Sequence, residues 1–163
     1  MRVGFAKDIH RLVEGKDLIL GGVKIPFDKG LEAHSDGDVV IHSIVDALIG
    51  ALNKGDIGTL FPDTDERYKN INSSYFLKEI KKIIENCSVF IDYIDVFISC
   101  EKPKLKDYIN QMKENICKEL QISTDRLSIK CGTNEGVGAV GEGKAIESYC
   151  IVCLGEKLWA KLE

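Results

Sequence analysis

The stretch Glu32-Ala33-His34-Ser35-Asp36-Gly37-Asp38-Val39-Val40-Ile41-His42 leaves the chain few ways to fold. It ends a polar, glycine-bearing loop (Pro26 to Ala33) and opens a helix. Ser35 or Asp36 is expected as the N-cap, with Asp38 favourable in the first turn, near the positive end of the helix dipole. Apolar residues then recur at Ile41, Ile44, Val45, Leu48 and Leu52, the spacing of one buried helical face. The pattern stops near Asn53-Lys54-Gly55. A helix with such a face needs another layer to cover it.

The flanking segments supply that layer. Arg2 to Leu12 reads as a strand, and Leu18 to Ile25 as a short hairpin broken at Gly21-Gly22. Asp56 to Asn72 is irregular, and so long a loop inside a compact domain is more often functional than idle. Ser73 is expected to cap a second helix running to Asn86, with Phe76, Leu77, Ile80, Ile83 and Ile84 turned inward. Phe90 to Cys100 is a strand, and after Pro103 a third helix ends near Leu120. Arg126 to Cys131 and Ala145 to Leu154 are strands, joined by a loop carrying Gly132, Gly136, Gly138, Gly141 and Gly143. This order predicts an α/β (α+β) sandwich, a mixed β-sheet with helices on one face, in a single domain over residues 1–163.

Charge and composition narrow the function. The net charge of -4 argues against a nucleic-acid binder that relies on phosphate neutralisation. No apolar run reaches the ~20 residues needed to span a bilayer, so no membrane partner is expected. Neither a signal nor a transit peptide is read at the N-terminus, and the expected location is cytoplasmic. The six cysteines sit in apparent core segments and read as reduced thiols. Cys150 and Cys153 have CxxC spacing, but three apart on a strand they face opposite ways.

The chain has only three histidines, His10, His34 and His42, all within or before the opening stretch. Asp8 and His10, two apart on a strand, share a face with Cα atoms about 6.5 Å apart, suited to one cation. His42, off the apolar stripe of the following helix, would complete a three-ligand site with an open position, the catalytic arrangement for zinc. Asp38 or Asp46, one helical turn either side, could hold its second ring nitrogen. The competing reading is that His10 and His42 are ordinary half-buried histidines. His34 and Ser35, beside a helix N-terminus, suit a phosphate or diol contact, or Ser35 simply caps.

Two glycine motifs are decoys. Gly136 to Gly141 spells GxGxxG, yet a strand and not a helix is expected after it. Gly138 to Lys144 approaches a P-loop, but Ala145 stands where a Ser or Thr would bind magnesium. Thr133-Asn134-Glu135, at a strand end, offers a hydroxyl and a carboxylate beside free backbone N–H groups. That suits a diphosphate and Mg²⁺, or marks a plain glycine-rich connection.

Taken together, the motifs resemble a known family. They are Asp8-Ile9-His10, Ile19 to Pro26, Ala33 to Asp38, His42 with Asp46-Ala47-Leu48, and Gly55-Asp56-Ile57-Gly58. Phe61-Pro62-Asp63-Thr64-Asp65, Pro103-Lys104-Leu105 and Thr133-Asn134-Glu135 follow in order along nearly the whole chain. The family is that of the 2-C-methyl-D-erythritol 2,4-cyclodiphosphate synthases, lyases of non-mevalonate isoprenoid (terpenoid) biosynthesis. The resemblance implies a homotrimer whose sheets enclose a central axis, with active sites between adjacent subunits. It implies Zn²⁺ on Asp8, His10 and His42, and Mg²⁺ or Mn²⁺ reaching the protein through Glu135. A cytidine nucleotide would lie against Cys100, Pro103, Lys104, Leu105, Cys131, Gly132 and Thr133. Asp56 and Gly58 would hold the ribose, with His34, Ser35, Asp63 and Ser73 at the methylerythritol end and Phe61 also among the substrate contacts. Thr133 would contact the transferring phosphate.

The implied reaction converts 4-diphosphocytidyl-2-C-methyl-D-erythritol 2-phosphate to the cyclic diphosphate and CMP. The substrate carries its own nucleophile, so two repelling anions must be brought together and their charge neutralised. Some residues depart from the family pattern. Ala6 and Lys7 precede Asp8 where a Gly and an aromatic are common, and Gly132-Thr133-Asn134 replaces a Thr-rich run. Glu142, in Gly141-Glu142-Gly143-Lys144-Ala145, replaces an Arg that in some members helps bind an isoprenoid diphosphate on the trimer axis, so that site is expected to be missing. Two other functions fit the same residues, a metal-dependent binding module without turnover and a phosphohydrolase that activates water.

Overall fold

Alternating burial along Arg2–Glu14 marks a long strand, β1: Gly4, Ala6 and Leu12 turn inward while Val3, Phe5 and Ile9 face outward. The computed structural model describes residues 1–157; residues 158–163, part of the expected domain, lie outside the described residues. The short strands β2 (Leu18–Leu20) and β3 (Val23–Ile25) pair as the expected hairpin, with Gly21 and Gly22 at φ +57° and +72°. A further strand, β4 (Lys29–Leu31), lies where only a loop was expected. Three residues give no period to read, and the segment passes so close that a Cβ on Gly30 would lie 2.2 Å from the Asp17 carbonyl oxygen.

Helix α1 (Val39–Ala51) is covered nearly all round, with only Asp46 and Gly50 outside the buried set. The single-face reading was therefore too narrow: this is a central helix. Its N-cap is Asp38, rather than Ser35 or Asp36, for it is the Asp38 carboxylate that accepts from the N–H groups of Val40 and Ile41. The expected irregular segment holds a one-turn helix, α2 (Ile57–Leu60), capped by Asp56, and a 3-10 turn at Glu66–Tyr68. Helix α3 (Ser74–Glu85), strand β5 (Val89–Ser99), helix α4 (Ile109–Leu120) and strand β6 (Leu127–Gly132) follow as predicted. The glycine loop contains one helical turn, α5 (Gly138–Gly141), and leads into strand β7 (Ala145–Glu156), so no helix follows the GxGxxG run.

The main sheet has the order β4-β1-β7-β5-β6 and is mixed: β5 and β6 run parallel, the other pairs antiparallel. All the long helices pack on one face. Gly4 lets α1 lie directly on β1, since a Cβ there would meet the Ala47 carbonyl oxygen at 1.9 Å. The Ser43 and Ser148 hydroxyls, both fully buried, satisfy each other at 2.8 Å and tie α1 to β7. Fully buried Ile44, Leu48, Leu77, Ile80, Ile94 and Ile98 fill the space between layers, each worth about 1.5–3 kcal/mol on leaving water.

The opposite sheet face is apolar and open in the single chain. Val3, Phe5, Ile9, Phe90, Tyr93, Phe97 and Ile151 are all exposed there. Register stacks them in rows, Phe5 opposite Ile151, and Phe97 opposite Tyr149, which in turn lies opposite Lys7. Among the described residues no helix is long and apolar enough to cross a membrane. All six cysteines are free, and Cys150 is fully buried while Cys153 is half-buried, as the strand alternation requires.

Candidate metal centre and substrate cleft

On β1, Asp8 and His10 follow Gly4 and Ala6 on the face turned toward α1. One turn into α1, His42 meets them. His10 Nε2 lies 3.2 Å from His42 Nδ1, and Asp8 Oδ2 lies 3.0 Å from the former and 3.1 Å from the latter. Ligand atoms placed 2.0–2.1 Å from a tetrahedral cation would sit about 3.3 Å apart, so these three fit one dication with little movement. The residues form the metal-competent group that β1 and α1 were expected to assemble.

Charge in the triad is coupled. Burial alone would raise the Asp8 carboxyl, but hydrogen bonds and charge from His10 and His42 outweigh it and hold the group well below the usual carboxylate range. Burial disfavours a charged His42, yet Asp8 outweighs that and raises the imidazole pKa. A cation would take the place of those protons.

The second nitrogen of His42 is not held by Asp38 or Asp46. Asp38 is fully buried and spends its carboxylate on four backbone N–H groups, those of Gly21, Gly22, Val40 and Ile41. Asp46 accepts from the Ile57 N–H at 2.7 Å and so anchors α2. His42 Nε2 instead meets two hydroxyls, Ser73 Oγ at 2.9 Å and Ser35 Oγ at 3.0 Å. Ser73, expected among the substrate contacts, is fully buried behind the imidazole and is not among the residues lining the cleft. Nor does its side chain cap α3; the Ser74 N–H is taken by Asn72 Oδ1 instead. A sequence pattern offers no signal for this role, because it depends on α3 packing across α1.

A cleft of about 360 Å³ opens over the triad. Its walls include five residues expected to meet substrate, His34, Ser35, Gly58, Phe61 and Asp63, together with Lys7 and Phe76, which were not. Phe61 and Phe76 stack with centroids 4.9 Å apart, and Tyr68 and Tyr75 continue the aromatic cluster that holds the 56–72 segment against α3. Asp56 stands just outside, accepting from the Thr59 N–H and hydroxyl at 2.7 Å. Within this wall His34 Nε2 is buried with no hydrogen-bond partner among the described residues.

The segments expected to hold the nucleotide lie elsewhere in the chain. The Cys100 N–H donates to the Gly132 carbonyl, joining the ends of β5 and β6, and the Lys102–Pro103 peptide is cis. Glu101 accepts the N–H groups of Asn134 and Gly136, the Ser99 hydroxyl bonds Asn134 Oδ1, and Thr133 Oγ1 donates to Glu135 Oε1 at 2.8 Å. Leu105 and Cys100 are buried; Lys104, Cys131 and Glu135 are exposed. Register places Asp8 opposite Ser148, Ser148 opposite Ile98, and Ile98 opposite Cys131. Three strand spacings therefore separate the triad from this segment, roughly 14 Å. Within one chain the two halves do not share a cleft.

The comparisons with known proteins agree with this geometry. The sequence matches the YgbB family over residues 1–155. A 2-C-methyl-D-erythritol 2,4-cyclodiphosphate synthase from Finegoldia magna is 52% identical over 154 residues, 93% of this chain and 97% of that protein. The corresponding synthase from Alkaliphilus metalliredigens is 48% identical, covering 97% and 99%. Among solved structures, a CDP-bound form of the synthase superposes with a TM-score of 0.87 at 34% identity, covering 94% of this chain and all (100%) of that one. The Plasmodium falciparum IspF–CDP complex gives 0.85 at 38% identity, covering 96% of each. The bifunctional IspDF of Campylobacter jejuni gives 0.91 at 37% identity; the match covers 95% of this chain and 42% of that longer one. The chain belongs to the YgbB family, the family of the 2-C-methyl-D-erythritol 2,4-cyclodiphosphate synthases.

Proposed function

We propose that the chain, as one domain over residues 1–163, converts 4-diphosphocytidyl-2-C-methyl-D-erythritol 2-phosphate to 2-C-methyl-D-erythritol 2,4-cyclodiphosphate and CMP. It would act as a cytoplasmic phosphorus–oxygen lyase. The observation that carries this reading is the convergence of Asp8, His10 and His42 beneath a cleft lined by His34, Ser35 and Asp63. An oxygen of the 2-phosphate forms a bond to the β-phosphorus, the bond from that phosphorus to the oxygen bridging it to the α-phosphate breaks, and CMP leaves with the bridging oxygen. No side-chain nucleophile is needed, because the substrate carries its own. Zn²⁺ on Asp8, His10 and His42, with Mg²⁺ or Mn²⁺ reached through Glu135, would supply the positive charge that phosphoryl transfer requires.

The chain's own groups do the rest. His34 and Ser35 offer donors at the cleft wall where phosphate charge gathers, and Thr133 offers a hydroxyl to the transferring group. Asp56, capping α2, and Gly58 flank the position of the ribose. Phe61 and Phe76 exclude water from one side. The Cys100 to Leu105 and Cys131 to Thr133 segments would take the cytosine, largely through backbone groups.

The two halves lie roughly 14 Å apart across the sheet of one chain, which supports a complete site formed between two copies. The open apolar sheet face, with Phe5, Phe97 and Ile151, is the surface on which a homotrimer would close. The same reading places no isoprenoid diphosphate on the axis: Glu142, which pairs with Lys144 at 2.5 Å, puts a carboxylate where such an anion would be repelled. Tight farnesyl diphosphate binding by titration calorimetry would overturn that point.

Incubation with the cytidyl substrate and separation of the products tests the assignment. CMP with cyclic diphosphate is expected. CMP with an open-chain product would make the chain a phosphohydrolase, and binding without CMP release would make it a non-catalytic module.

A further inference from the structure

A short chain of hydrogen bonds runs from Asp36 through Ser73 to His42, three residues that packing rather than sequence brings together. The Ser73 hydroxyl bonds Asp36 Oδ1, and the Ser73 N–H donates to Asp36 Oδ2 at 2.9 Å. On its other side the same hydroxyl lies 2.9 Å from His42 Nε2. Ser73 is fully buried, so water does not reach its hydroxyl, while Asp36 is half-buried. Asp36 has further work for Oδ1, which also takes the Asp38 N–H at 3.3 Å.

The donor and acceptor assignments follow from counting protons. An ionised carboxylate only accepts, so the single hydroxyl hydrogen of Ser73 must point at Asp36. What Ser73 Oγ then shows His42 is a lone pair. If Nε2 also carried a lone pair, two acceptors would face each other at 2.9 Å in a dry site, which costs more than a typical hydrogen bond gains. With a cation held between Nδ1, Asp8 and His10, Nε2 therefore carries the hydrogen and the lone pair of the neutral ring lies on Nδ1; without one, the Asp8 carboxylate 3.1 Å from Nδ1 competes for that hydrogen. Ser35 Oγ, 3.0 Å from Nε2 and 3.4 Å from the Gly37 N–H, can give or take a hydrogen and does not decide the matter.

We infer that the Asp36–Ser73 pair is a positioning device that fixes His42 as the Nε2–H tautomer and so presents Nδ1 as the metal-binding atom. This rests on His42 being a metal ligand, as proposed above. The pair does not touch a cation or substrate; it acts through the imidazole, as the outer partners of ligating histidines commonly do.

Asp36→Asn gives the sharpest test. The Ser73 N–H at 2.9 Å needs an oxygen opposite it more than the weaker Asp38 N–H at 3.3 Å does, so the amide nitrogen faces the Ser73 hydroxyl. That hydroxyl must then accept from Asn and turn its own hydrogen onto His42 Nε2, which drives the ring to the Nδ1–H tautomer. An amide in place of a carboxylate has this effect in other histidine–carboxylate pairs. In zinc-loaded protein, long-range ¹H–¹⁵N correlation spectra should show a His42 Nε2–H for the unchanged chain and none for Asp36→Asn. Zinc affinity, measured by competition with a chromophoric chelator, should fall roughly ten- to a hundredfold in Asp36→Asn and Ser73→Ala. Ser73→Thr, which keeps the hydroxyl, should recover most of it.

His42→Ala separates the two layers of the argument. If that variant holds zinc as tightly as the unchanged chain, the metal assignment itself fails. If it loses zinc while Asp36→Asn and Ser73→Ala keep both the Nε2–H signal and the affinity within about twofold, the metal assignment stands and the positioning role is overturned.

Discussion

The Asp38 carboxylate accepts the Gly22 N–H at 2.7 Å, so one fully buried side chain joins the tip of the β2–β3 hairpin to the start of α1. Its other oxygen serves Gly21, Val40 and Ile41 at 2.9, 3.1 and 3.1 Å. Removing that carboxylate leaves four N–H groups to find new partners where little water reaches. Asp38→Ala should therefore cost more than an ordinary N-cap loss, about 2–4 kcal/mol. Calorimetry should show a Tm lower by roughly 5–15 °C. A fall of only a degree or two would mean the hairpin is held by its apolar contacts instead.

Gly4→Ala probes how closely α1 lies on β1. The added methyl would fall 1.9 Å from the Ala47 carbonyl oxygen, a backbone atom that cannot swing aside. Helix α1 must lift from the strand, at an expected cost of about 1–3 kcal/mol or more. That movement also draws His42 away from Asp8 and His10. The variant should show weaker zinc binding by chelator competition as well as a lower Tm, although residue 4 is not a ligand.

Much of this arrangement is legible from residue order, and the parts that are not share a cause. Periodicity marks β1, α3 and β7, because each buries a repeating face, and it marks α1 through the most apolar part of its surface. The two-residue spacing of Asp8 and His10 suffices to place them on one side of a strand, and the distance of His42 from the helix start suffices to bring it near. Sequence does not reveal that α1 is buried all round, because that depends on how many layers cover it. Nor does it reveal that Ser73 sits behind His42, since helix-start residues read as caps until the neighbouring helix is in place. Strand β4 is hidden for a simpler reason: three residues carry no period.

If the site is shared between copies, damage to its two halves should complement. Asp8→Ala removes a metal ligand on β1, and Thr133→Ala removes a hydroxyl at the end of β6, two strands further across the sheet than β7. Each variant alone should release almost no CMP. After unfolding, mixing in equal amounts and refolding as a trimer, about one site in four joins two intact halves from different chains. Recovery of about a quarter of the normal rate is expected in a CMP-release assay. No recovery, from a mixture shown to be trimeric, would place the complete site within one chain.

Changing Phe5 or Ile151 to Asp tests the surface that this sharing needs. Both side chains are exposed in the single chain and pair across β1 and β7. A carboxylate on that face costs the folded monomer little, since it faces water there, but would be buried on association. Sedimentation should show monomers of unchanged secondary structure, and CMP release should fall with the loss of assembly. Intact trimers would show that another surface mediates contact.

Proton competition at the triad fixes the direction of the pH dependence. Asp8 raises the pKa of His42 above its ordinary value near 6.5 in the metal-free chain, against the effect of burial. A raised folded-state pKa contributes stability that is fully present below about 6.5 and is lost as pH rises through the folded-state value. The Asp8 carboxyl, held below its ordinary value, contributes stability that is lost only in acid, as pH falls below about 3.9. Between pH 6 and 8 the His42 contribution therefore dominates this pair, and the metal-free protein should lose stability as pH rises. Zinc behaves oppositely: it must displace the proton from Nδ1, so its affinity should rise over the same interval. The gap in Tm between zinc-loaded and chelator-treated protein should therefore widen steadily from pH 6 to 8. His42→Ala should abolish both the gap and its slope, and a gap that narrows with pH would show that His42 does not exchange its proton for the metal.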